Sequence, residues 1–148
     1  MVLVPRFWQH SQLLVSECLL NKRFMEPFSF ERIVAWQKAH EFTLLVYNIT
    51  KNFPEDERFG VVSQFRRAAV SVGANIAEGY KKLGKADKLR FLNISEGSLA
   101  ECENYIVLSR DLKFISENDY RALHSSAEEA GRLLTAYSNG IINNNGIK

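Results

Sequence analysis

From Phe30 onward the apolar positions of this chain recur at helical spacing almost everywhere. Ile33, Trp36, His40, Leu44 and Tyr47 fall three or four residues apart, and Val34, Leu45 and Ile49 widen the stripe. The pattern predicts a helix over residues 31–51 with that stripe inward. Asn52, Phe53 and Pro54 end it. Pro54 followed by Glu55, Asp56 and Glu57 has the form of a helix start, because proline fits the first turn and acids suit the positive end of the helix dipole. A second helix is therefore expected over 54–80, with Val61, Phe65, Ala69, Val72 and Ile76 inward, although Gly60 leaves its start open. A third is expected over 85–113, with Leu89, Leu92, Leu99, Cys102, Ile106 and Leu112 on one stripe. Ser116 and Asp119 form a capping box that opens a fourth, in which Tyr120, Leu123, Ala127, Ala130, Leu134 and Tyr137 turn inward and Asn139 and Gly140 supply the stop. Four long helices joined by short turns fold back on their neighbours. The expected fold class is all-α, an antiparallel up-down-up-down four-helix bundle.

The second helix departs from the usual pattern on its remaining face. Across residues 68–77 no side chain is charged, and Ala69, Gly73 and Ala77 form a small-residue ladder at four-residue spacing that admits another helix at close range. A helix that buries one stripe in its own bundle ordinarily carries charge elsewhere, so this face is expected to be a subunit interface. The other reading is a helix central to a monomer. Arg66 and Arg67 precede the ladder and are expected at the same interface, one or both paired within or between subunits with carboxylates such as Glu78, Glu96, Glu101 or Glu103; nucleic-acid contact is the second reading.

Charge sharpens the picture at the helix ends. The up-down topology places the turn between the second and third helices beside the start of the first and the end of the fourth. Lys81, Lys82, Lys85, Lys88 and Arg90 cluster there against Asp87, and Arg32, Arg132 and Lys148 can add to them. The opposite end holds Glu55, Asp56, Glu57, Glu117 and Asp119. Dipole matching accounts for Lys81 and Lys82, but Lys85 and Lys88 open the third helix, where cations are disfavoured. That placement points to an anionic partner, with phosphate the foremost candidate. The five cations are the candidate nucleic-acid-binding residues.

Composition bounds the rest. The chain has 148 residues, 46% of them hydrophobic and 24% charged, which is the balance of one globular domain. Residues 28–140 form the expected bundle, 1–27 an N-terminal extension and 141–148 a flexible tail. The leader carries Arg6, Lys22 and Arg23 against Glu17, so the net charge of +2 originates there. Translation from Met1 and translation from Met25 both fit it. His10, Gln12 and Glu17 interrupt any signal-type apolar core, and no apolar run is long enough for a membrane helix. Cys18 and Cys102 lack disulfide or metal spacing, as suits a reducing cytoplasm. No metal or other cofactor is expected: Gln37 and Arg121 stand three residues before His40 and His124 where a di-iron bundle needs Glu, and no phosphate loop is present. Arg121 and His124 sit one turn apart, but no third group completes a catalytic set, so the chain is not expected to be an enzyme. Asn48-Ile49-Thr50 and Asn93-Ile94-Ser95 match the glycosylation pattern inside predicted helices, where the match is incidental.

The stretches AWQKAHEFTLLVYNITKNFP, FGVVSQFRRAAVSVGANIAEGY and RFLNISEGSLAECENYIVLSRDL resemble the bacterial 23S rRNA intervening-sequence proteins, a group that includes accessory proteins of diversity-generating retroelements. The resemblance runs from Phe30 to Leu134, with NIAEG and EGS as its specific blocks. It implies a four-helix bundle assembled as a ring, a pentamer. The retroelement members imply nucleic-acid binding and a reverse transcriptase as partner. This chain departs from the pattern in its leader, in Gly73 where proline is frequent, and in its balanced charge. Two functions follow as expectations. One is a homo-oligomer that binds RNA or DNA through its basic turn; the alternative is a protein-interaction scaffold.

Overall fold

The structure, a computed structural model, describes residues 28–144. The leader at 1–27 with its two candidate start sites, and the tail at 145–148 with Lys148, lie outside the described residues. Four helices dominate: α1 Val34–Ile49, α2 Val61–Lys81, α3 Lys85–Asp111 and α4 Glu117–Asn143. Short 3-10 turns flank α1 at Ser29–Arg32 and Thr50–Asn52, and a third covers Glu55–Arg58.

Pro54 does not open α2. The acids after it form the separate turn Glu55–Arg58, and Gly60, with backbone angles of −92° and −117°, breaks the chain before Val61. The acidic cluster still serves α2, because the Glu57 carboxylate accepts the Val61 N–H at 3.0 Å. At the end of α3, Lys113 takes a positive φ of 60°. The Phe114 N–H bonds the Ser109 carbonyl and the Lys113 N–H that of Arg110, the pairing of a Schellman stop. The capping box of α4 forms as expected, with Ser116 Oγ accepting from the Asp119 N–H. Asn139 and Gly140, however, do not stop α4. The helix continues to Asn143 with Ile141 packed on the core, and the Asn144 N–H still bonds the Gly140 carbonyl.

Contacts between helices fix the antiparallel order. Arg66 at the start of α2 reaches Thr50 at the end of α1, Phe91 in early α3 lies against Gly79 in late α2, and Arg110 in late α3 bonds Tyr120 in early α4. Lys38 of α1 lies 3.8 Å from Glu129 of α4, which closes the bundle. Each helix packs on the helices before and after it in a four-membered ring of neighbours. The core between them holds Phe42, Val46, Phe65, Val72, Ile76, Leu92, Leu99, Cys102, Ile106, Leu123 and Leu134. Side-chain hydroxyls tie helices together: the buried Ser95 Oγ donates to the Val72 carbonyl at 2.7 Å and the half-buried Thr43 Oγ1 to that of Ala69 at 2.9 Å.

The inward stripe of α1 is not the expected one. Ala35, Ala39, Phe42, Val46 and Ile49 are buried, whereas His40, Leu44 and Tyr47 are exposed and Trp36 is only half-buried. This helix carries two apolar stripes, and the one with alanine at 35 and 39 turns inward because small side chains admit both close neighbours, α2 and α4. Leu112 is also exposed, since it caps α3 rather than continuing it.

Candidate nucleic-acid interface and assembly face

Residues 82–84 alone join α2 to α3, so the cations on either side of this turn are brought to one end of the bundle. Two aromatic rings organise them. The Lys82 ammonium sits 4.6 Å and the Arg90 guanidinium 4.7 Å from the Phe91 ring centre. Lys81 and Lys88 lie 5.7 and 5.8 Å from that of Tyr80. Arg90 also meets Asp87 at 3.7 Å on the exposed surface.

Lys85 and Lys88 have roles that a single-helix reading misses. Lys88 Nζ donates to the Tyr80 carbonyl at 2.9 Å and Lys85 Nζ to the Ile142 carbonyl at 2.6 Å. Each opens α3 yet caps the C-terminal end of an antiparallel neighbour, α2 or α4, where a cation is favourable. The inference from their disfavoured placement therefore fails. Their charge remains, because an ammonium has three donors and each contact uses one. Arg132 does not join the cluster; it lines a shallow cleft on α4 with Ser125, Glu128 and Glu129.

The residues expected at a subunit interface divide. Ala69 is fully buried within its own subunit. Arg66 is engaged at the end of α1: its Nε donates to Thr50 Oγ1 at 2.8 Å and its guanidinium lies 4.8 Å from the Tyr47 ring centre. Neither Arg66 nor Arg67 pairs with Glu78, Glu96, Glu101 or Glu103 among the described residues; Arg67 is exposed, and its charge is felt by Tyr105 of α3. Gly73 and Ala77 are half-buried. A Cβ at Gly73 would stand 3.5 Å from Trp36 Nε1, an ordinary contact, so the subunit itself does not require glycine there. Gly73 instead lines an apolar groove of about 360 Å³ with His40, Thr43, Leu44, Tyr47, Val70 and Ala74. The outer stripe of α1 and the uncharged face of α2 thus form one surface, which neither helix alone revealed.

Elsewhere the chemistry is sparse. Arg121 pairs with Glu117 at 3.0 Å and His124 faces Glu128 at 3.5 Å, so the two point to different acids on one exposed face. Cys102 is buried, and burial, with the charges of Glu101 and Glu103 behind it, pushes its thiol up to about 12. No group of three metal-ligating side chains occurs among the described residues, and no helix among them is long and apolar enough to cross a membrane. Thr50 and Ser95, of the two glycosylation-type triplets, are both buried in helical segments.

Residues 31–136 match the family described as 23S rRNA-intervening sequence protein, a span that contains all three stretches on which the resemblance rests. A crystal structure from Bacteroides thetaiotaomicron, described as a protein with unknown function from the S23 ribosomal protein family, is similar to this chain with a TM-score of 0.67 and 26% identity. The similarity covers 72% of this chain and 96% of that one. No curated protein matches.

Proposed function

The chain belongs to the 23S rRNA-intervening sequence protein family, and from that premise we propose that it is a non-enzymatic, self-assembling bundle that binds nucleic-acid phosphates through the α2–α3 end. The observation that carries this reading is the joint placement of Lys81, Lys82, Lys85, Lys88 and Arg90 at one end, with all five held by ring or carbonyl contacts and opposed by Asp87. Cations already ordered lose less side-chain entropy when a phosphate arrives. The apolar α1–α2 surface supplies the assembly half of the proposal. A ring of copies, a pentamer by family resemblance, would repeat the basic end and raise avidity without any new contact. Phosphate contacts carry no base information, so binding is expected to be weakly selective for sequence.

A second reading has a specific observation in its favour. Lys85 and Lys88 have intramolecular capping roles that explain their presence without a ligand. On that reading the ring is a protein-interaction scaffold and the cations serve the fold. Fluorescence anisotropy with RNA and DNA duplexes at about 50 and about 200 mM salt separates the two. The double change Lys81→Glu and Lys82→Glu leaves both caps intact. It is expected to weaken binding and to lower the salt slope by about two, since each neutralised phosphate contributes about 0.9. Absence of binding at the lower salt, or indifference to the double change, would favour the scaffold.

A further inference from the structure

Leu83 is 100% exposed at the apex of the α2–α3 turn. Its neighbours Lys82 and Gly84 are both extended, with φ and ψ of −71° and 143° and of −77° and 137°, so the turn projects Leu83 away from the bundle. The base beneath it is fixed. The Lys82 N–H bonds the Gly79 carbonyl, the Lys88 N–H bonds the Gly84 carbonyl, and the Lys82, Lys85 and Lys88 ammonium groups are each anchored on a ring or a carbonyl. Among the described residues nothing covers Leu83, at a turn position that ordinarily carries a polar residue. Of the other exposed large apolar side chains of α1 and α2, Leu44, Tyr47 and Val70 adjoin one another in the groove, and Val34 stands at the start of α1. Leu83 instead stands among Lys81, Lys82 and Lys85.

We propose that Leu83 is a wedge that enters a base step of the nucleic acid held by these lysines, giving the protein a preference for duplexes that are already unstacked or bent. The proposal rests on the phosphate-binding reading above. Its physical basis is that one apolar side chain suffices to prise a base step, while the surrounding cations hold the backbone on either side. An anionic membrane fits less well, because interfacial binding grows with buried apolar area and one leucine offers little. Phe59 provides an internal comparison. It is 85% exposed at the opposite end of the bundle, where Arg58 lies 5.6 Å from its ring centre but the three acids Glu55, Asp56 and Glu57 outweigh that one cation and disfavour a phosphate backbone.

The experiment measures binding of wild type, Leu83→Ser and Phe59→Ser to a continuous RNA duplex, to the same duplex with a single-base bulge, and to anionic phospholipid vesicles. Wild type and Phe59→Ser should prefer the bulged duplex by about tenfold, because the unstacking cost is partly met in advance. Leu83→Ser should lose that preference while keeping continuous-duplex affinity to within about twofold and the same salt slope, since its phosphate contacts are intact. Equal wild-type affinity for the two duplexes, or a preference that survives Leu83→Ser, overturns the wedge while leaving phosphate binding in place. Vesicle binding that depends on Leu83 assigns the side chain to lipid and overturns it as well. Absence of salt-dependent binding to either duplex removes the phosphate-binding reading and the wedge with it.

Discussion

Lys88 bonds the Tyr80 carbonyl and Lys85 that of Ile142, so two cations unfavourable to their own helix stabilise the ends of α2 and α4. No amount of reading along α3 reveals this, because the accepting carbonyls belong to other helices. The same holds for Arg66, whose partner Thr50 becomes a neighbour only when α1 and α2 fold antiparallel. The five cations at the turn were legible as a cluster because they are nearly consecutive; their caps and stacks were not. Leu83 was legible only as a residue of the turn, with its exposure supplied by the fold. Cys102 gives a residue-scale test of the core. Burial pushes its thiol up to about 12 and leaves it without solvent access, so Cys102 should resist alkylation at mildly alkaline pH in the folded protein and react on denaturation. Peptide mapping after iodoacetamide treatment reads the outcome, and rapid native labelling of Cys102 would show an open core.

The two glycines of α2 differ in what they require. A Cβ at Gly79 would lie 3.2 Å from Phe91 Cβ and 3.3 Å from the Lys88 carbonyl oxygen, so α2 and α3 approach closely there. Gly79→Ala is expected to destabilise by about 1–3 kcal/mol through overpacking. Gly73→Ala should instead stabilise an isolated subunit by up to about 1 kcal/mol through helix propensity. Thermal unfolding of the two variants checks this, and equal shifts would contradict the contrast. The four helices were legible because a period of 3.6 persists across each of them. Their details were not. Two apolar stripes on α1 satisfy that period equally well, and only packing against α2 and α4 decides between them. Pro54 with its acids reads as a helix start although it forms a separate turn whose Glu57 caps α2 from outside.

At the scale of the molecule, the bundle has a basic end at the α2–α3 turn, an acidic end around Glu55–Arg58 and the start of α4, and an apolar side formed by α1 and α2. Leu44 is 57% and Val70 47% exposed on that side, although both belong to well-packed helices. Contiguous apolar surface of this kind marks an interaction site more often than a solvated face. If a second copy covers it, the basic ends are held in fixed relation to one another, and assembly comes before nucleic-acid binding in the functional sequence. Light scattering on wild type and on the Leu44→Glu, Val70→Glu double variant tests that most directly, with circular dichroism to confirm that the variant remains helical. Wild type is expected as a multiple of the 16.9 kDa chain, five copies by family resemblance, and the variant as a helical species at 16.9 kDa. A wild-type mass of 16.9 kDa, or a variant that keeps the wild-type mass, would contradict assembly through the α1–α2 face.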